Sequence, residues 1–186
     1  VNAQNMALAA RMRHLAGEGF SARMLAELIY EEIEKQKEIS PRDVSLLQKL
    51  NRIYTVVPGE ESEAGREALA EQISARTEKM KTKATVQGLV VLASLFQAQE
   101  DYDKADQVLS AAWNANRNAY TIFNALNGSV QKSGRWADWA KFLQEKAPSD
   151  QTALVLYCMR LVPYLRTAGE RQSVQKLIPL MNPLMQ

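Results

Sequence analysis

The chain has 186 residues, 46% hydrophobic and 24% charged, the balance of an ordinary globular protein rather than a disordered one. Its 23 basic and 21 acidic residues leave a net charge of +2, spread along the chain, which argues against the concentrated basic footprint of a nucleic-acid binder. Only 8 Gly and 6 Pro interrupt a sequence rich in Ala, Leu, Gln, Glu, Lys and Arg, so the expected fold is all-α.

An opening helix is predicted from Met6, Ala9, Ala10, Met12 and Leu15, closed by the glycines of "GEG". Ser21 is the expected cap of a second helix with an apolar face of Met24, Leu25, Leu28, Ile29 and Ile33, its other face charged. In "SPRD", Ser40 is placed to cap a third helix, with Pro41 at its first position and Asp43 three residues after the cap. Leu46, Leu50, Ile53, Tyr54 and Val57 follow at helical spacing until Pro58 and Gly59 stop it. A fourth, more polar helix is expected from about Ser62 to Met80, on a sparse stripe of Leu69, Ile73 and Met80. No strand or hairpin signal competes.

From residue 86 a fixed period emerges. "EDYDKADQVL" from Glu100 and "GRWADWAKFL" from Gly134 each place an aromatic (Tyr102, Trp136) seven residues before a leucine (Leu109, Leu143), offset by 34 residues. Upstream, Leu89, Leu92, Ala93 and Phe96 are answered 34 residues on by Phe123, Leu126, Asn127 and Val130. This pattern resembles the tetratricopeptide repeat, a helix–turn–helix unit of about 34 residues. Two such short helices cannot bury both faces alone, so neighbouring hairpins must stack, and repeated geometry requires repeated side-chain sizes.

The resemblance implies antiparallel hairpins stacked as a short right-handed α-solenoid, with units at 86–119, 120–153 and, more loosely, 155–186. Cys158, Leu161, Val162, Leu165, Gly169, Val174 and Ile178 carry the third unit, where Pro163 predicts a kink or a break. Departures from the pattern are Trp139 and Lys146 at positions usually small, Asn127 where Gly or Ala is usual, and Arg117 and Gln151 in place of the terminal proline. They suggest a second unit bent differently from the first. Residues 1–83 are read as irregular N-terminal hairpins, and 84–186 as the repeats, in one stack of about five hairpins.

Chemistry is sparse. His14 is the single histidine, so a multi-histidine metal site is ruled out, and no phosphate loop, dinucleotide fingerprint or nucleophile elbow is present. Paired Glu31/Glu32 and Glu60/Glu61 read as solvated helix faces, and Cys158, in the apolar run "ALVLYCMRLV", as a buried structural thiol. Neither catalysis nor a cofactor is expected. A lone cysteine permits no intrachain disulfide and tilts the expectation toward a soluble protein of the reducing cytoplasm. No run approaches the roughly 18 apolar residues of a membrane span. The chain opens with "VNAQ" rather than Met, as a processed form or a fragment would.

The family resemblance further implies that first helices line a concave groove for an extended or helical segment of another protein. Carried over by register, the groove-facing positions are Gln87, Val90, Ser94 and Gln97, then Thr121, Asn124, Gly128, Gln131 and Lys132. Their amides and hydroxyls suit the donors and acceptors of a peptide backbone. The expected function is thus an adaptor, scaffold or assembly factor, with self-association a further expectation. The alternative is a regulatory, nucleic-acid-associated protein using Arg11, Arg13 and the lysines of "KMKTK" (Lys79, Lys81, Lys83).

Overall fold

In the computed structural model, which describes residues 3–55, 61–116, 119–145 and 150–181, every regular element is a helix. The expectation of an all-α protein is met among those residues. Eleven helices follow one another: α1 (Ala3–Leu15), α2 (Gly19–Glu34), α3 (Pro41–Leu50), α4 (Arg52–Thr55), α5 (Glu61–Thr82), α6 (Val86–Ala98), α7 (Tyr102–Ala115), α8 (Tyr120–Ser133), α9 (Trp136–Glu145), α10 (Gln151–Thr167) and α11 (Arg171–Met181). The chain forms two compact units, Val1–Ala112 and Trp113–Gln186, with the division inside α7. That division differs from the boundary expected after residue 83; one follows the density of packing, the other a pattern of side-chain sizes.

Helix starts are local events, and the strongest was the best marked. Ser40 accepts a hydrogen bond from the Asp43 amide (3.2 Å) while the Asp43 carboxylate accepts from the Ser40 amide (2.8 Å), a reciprocal capping box with Pro41 at the first helical position. Thr85 caps α6 in the simpler way, accepting from the Gly88 amide at 3.0 Å. Ser21, by contrast, lies inside α2, which begins at Gly19.

In the first unit, α2 buries Ala22, Ala26, Ile29, Tyr30 and Ile33. Phe20 (73% exposed), Met24 (54%) and Leu28 (47%) project outward, so the apolar face expected from Met24 and Leu28 is rotated. The small alanines win because they let α2 pack closely against its neighbours, including α1 and α6. Met12 of α1 is likewise exposed, and Ala10 is buried. Gly88 serves the same purpose: a Cβ there would lie 2.5 Å from the end of the Met80 side chain, at the close of α5.

The long third helix expected through Val57 divides at Asn51 into α3 and α4. Pro58, Gly59 and Val57 lie outside the described residues. Asn51 is buried because it joins three elements: its side-chain oxygen accepts from the Tyr30 hydroxyl (2.6 Å), and its amide donates to the Ser94 carbonyl (2.8 Å) and hydroxyl (3.1 Å). Both polar ends of the Asn51 side chain are thereby matched, one by α2 and the other by α6.

α5 uses an ion where apolar residues run out. Beyond Leu69 and Ile73, the buried Arg76 meets Glu27 at 3.0 Å and Glu34 at 3.2 Å, and its guanidinium lies 4.9 Å from the centre of the Tyr30 ring. Lys79 also pairs with Glu34.

In the second unit α8 packs on α9 and α10, α9 on α10 and α11, and α10 on α11. A cluster of rings fills it: Phe123 stacks on Tyr157 with centroids 4.0 Å apart, and Trp113 meets Trp139 edge-on at 5.4 Å. Trp136 is buried by stacking on Tyr164 at 5.0 Å, and Leu143 is fully buried. α10 runs unbroken through Pro163, so no break occurs there. Only four residues follow before the helix ends at Thr167, whose hydroxyl returns a hydrogen bond to the Pro163 carbonyl (3.0 Å).

Candidate partner-binding surface

The residues expected to face a groove divide between the two units. In the first, Gln87 donates to the Lys37 carbonyl at 2.8 Å, and Gln97 is half-buried. Val90 and Ser94 are buried, which corrects their assignment as surface positions. Ser94, 7% exposed, receives Asn51 and itself donates to the Val91 carbonyl (2.7 Å). The contact from a residue 43 positions away turns that side of α6 inward. Nothing in the repeat register announces it.

The second unit keeps more of the expectation. Asn124, Gly128, Gln131 and Lys132 are exposed on α8, and Thr121 is half-buried. On α10, which packs on α8, Leu156 (49%), Met159 (63%) and Arg160 are exposed as well. Arg160 Nε donates to the Tyr120 hydroxyl at 3.1 Å and so ties the two helices together at the surface. Hydrogen bonding from Asn124, and then from Arg160, holds the Tyr120 phenol below the ordinary tyrosine value of 10.0.

Tyr120 and Arg160 were missed as site residues, although a signal existed. Arg160 is the single charge in the fourteen residues from Gln151 to Tyr164, and a lone cation in so apolar a helix needs an outward face. Neither α8 nor α10 contains an aspartate or glutamate. The face they share thus carries cations, amides and a phenol beside two large apolar side chains.

Trp139 and Asn127, both departures from the repeat pattern, answer each other: the Trp139 indole donates to the Asn127 side-chain oxygen at 2.5 Å, both groups buried. The polar edge of the large Trp139 ring on α9 is thereby received by Asn127 on α8. Tyr120 stacks on Tyr157 at 6.1 Å, continuing the ring cluster up to the surface.

Other candidates are accounted for. Burial pushes the Cys158 thiol up to about 11, far from a reactive thiolate. His14 is buried at the end of α1. Of the "KMKTK" lysines, Lys79 pairs with Glu34 and Lys81 with Glu78, and Arg13 pairs with Glu18 at 4.0 Å. Glu31 and Glu32 share Lys35. Among the described residues no group of three or more His, Cys, Asp or Glu converges in a way that would hold a metal, and no helix is long and apolar enough to cross a membrane. No family model and no curated protein matches this chain.

Proposed function

We propose that this chain is a non-catalytic helical-repeat module, of the tetratricopeptide-like kind, that holds a segment of another protein on the α8–α10 face. The observation that carries the reading is that Tyr120 joins Asn124 of α8 to Arg160 of α10, while Lys132 of α8 and Leu156 and Met159 of α10 are exposed and neither helix carries an acid. Guanidinium, ammonium and amide groups all donate hydrogen bonds, so the complement is a segment rich in acceptors, carboxylates and backbone carbonyls, with at least one apolar anchor. Such an arrangement suits holding rather than reacting.

The solenoid reading is supported by connectivity. α8 and α9 are joined by two residues and α10 and α11 by three, and equivalent helices pack on one another, α8 on α10 and α9 on α11. Left-handed backbone recurs at Glu100, Gly134 and Gly169, at intervals close to the repeat length. A protein partner is preferred over nucleic acid because most cations of the basic run are already neutralised.

The experiment is capture of partners on immobilised chain beside a variant carrying Asn124→Ala, Lys132→Ala and Arg160→Ala. All three positions are exposed, but Asn124 and Arg160 bond Tyr120, so the variant's melting is matched to the parent's before capture is compared. A protein retained by the parent and lost by the variant supports the reading; equal retention of every captured protein removes the α8–α10 face from it.

A further inference from the structure

The first unit carries a second surface, which the repeat pattern does not predict. α1 and α3 border a groove of about 570 Å³. Its walls include Leu8 and Arg11 of α1, Arg42, Leu46 and Lys49 of α3, and Ile53 of α4. Leu8 is 60% exposed, a large apolar side chain left in water at the edge of an apolar trough. Among the described residues no acidic one lines the groove. Among the described residues none of Arg11, Arg42 and Lys49 makes an ion pair, whereas Arg13, Lys35, Arg76, Lys79 and Lys81 in the same unit all do.

We infer that this groove is the docking site for an acidic amphipathic helix of a partner protein. Charge and shape select that occupant together. Three unpaired cations around an apolar trough are complemented by carboxylates flanking an apolar stripe. The walls are helices, whose backbone groups are already bonded, so an extended strand would find no sheet edge to pair with. A helix satisfies its own backbone and presents side chains three and four apart. Arg42, Leu46 and Lys49 follow that same spacing along α3, so a helix laid along it meets cation, apolar residue and cation in turn. A nucleic-acid backbone would use the cations and leave Leu8 and Leu46 without a complement. This inference stands apart from the α8–α10 reading, because it concerns other residues and another unit.

The test is fluorescence anisotropy of the full chain with a stapled helical peptide bearing leucines three and four apart and flanking glutamates. A scrambled peptide of identical composition serves as control. Saturable binding of the patterned peptide alone is expected, weakened at least about tenfold by the double variant Arg42→Glu, Lys49→Glu. Leu8→Ser, at an exposed position, is expected to weaken it while leaving its salt dependence intact. Arg160→Glu is expected to leave it unchanged, which separates this site from the α8–α10 face. Equal binding of the scrambled peptide, indifference to the double variant, or absence of saturable binding overturns the inference. So does displacement of the peptide by duplex DNA, or sedimentation showing that the chain associates with itself through the same residues and thereby fills the groove.

Discussion

At the scale of single residues, the most informative is Glu100. It closes α6 with φ of 62°, whereas the equivalent turns use Gly134 at 73° and Gly169 at 77°. A side chain in this region is crowded against its own carbonyl, at a cost of roughly 1 kcal/mol that glycine avoids. Glu100→Gly is therefore expected to raise unfolding stability by about 1 kcal/mol, read from chemical denaturation. An unchanged midpoint would mean that the strain is absent. Cys158 gives a second prediction at this scale: its buried thiol is expected to resist a thiol reagent in the folded chain and to react at once in denaturant.

Residue-scale legibility followed distance along the chain. Ser40, Pro41 and Asp43 were readable because a capping box closes within three residues. The burial of Ser94 was not, since it depends on Asn51, 43 positions away, which itself depends on Tyr30. Arg160 lay between these cases; its lone charge was visible in the sequence, but its pairing with Tyr120 across 40 positions was not.

At the scale of elements, periodicity located the helices and misjudged which way some of them face. Counting large apolar residues selected Met24 and Leu28 on α2, but tight packing prefers the alanine row that lets helices approach, and Ala22 and Ala26 are fully buried. A polar helix such as α5 looked sparse because the residue that completes its inward face is an arginine. Breaking a buried ion pair leaves its partners uncompensated at a cost of about 3–5 kcal/mol, so Arg76→Ala is expected to lower stability by that amount. Arg76→Lys should recover only part of it, because an ammonium cannot reach Glu27 and Glu34 with the same fork or lie flat on the Tyr30 ring. Equal stability of all three proteins in denaturant would show that Arg76 does not pin α5.

In the second unit the aromatic that first marked the repeat is buried against Tyr164. Trp136→Ala removes a large ring from that contact and is expected to cost roughly 3–5 kcal/mol. An unchanged melting curve would contradict the packing described. The pairing of Trp139 with Asn127 shows why deviations from a repeat pattern should be read jointly: each looked unfavourable alone, and together they make one hydrogen bond.

At the scale of the whole molecule, the helical class was legible in composition, while the third unit expected from about residue 155 meets a helix that already begins at Gln151. The division into units at Ala112 and Trp113 was not legible, because it reflects contacts that no local pattern carries. The buried ionisable groups give the protein a pH profile. Burial raises the Cys158 thiol to about 11 and the Tyr54 phenol to about 12, and raises Tyr30 well above its ordinary value. Each is favoured neutral in the folded state, so its contribution is complete below its unfolded value and lost as pH rises toward its folded one. Stability is expected to hold near neutrality and to fall progressively above about pH 9, as the unfolded thiol and then the unfolded phenols ionise. A stability that stays level through pH 11 would contradict the burial of Cys158.

The role proposed for α8 and α10 is to hold a partner segment through hydrogen-bond donors and apolar anchors. Calorimetric titration with peptides selected on the intact chain from a displayed random library tests it most directly. The expected peptides combine carboxylates with a large apolar residue, bind the parent, and are weakened at least about tenfold by Lys132→Glu with Arg160→Glu. The groove variant Arg42→Glu, Lys49→Glu should bind them as the parent does. Peptides without carboxylates, or affinity untouched by the Lys132 and Arg160 substitutions, would contradict it.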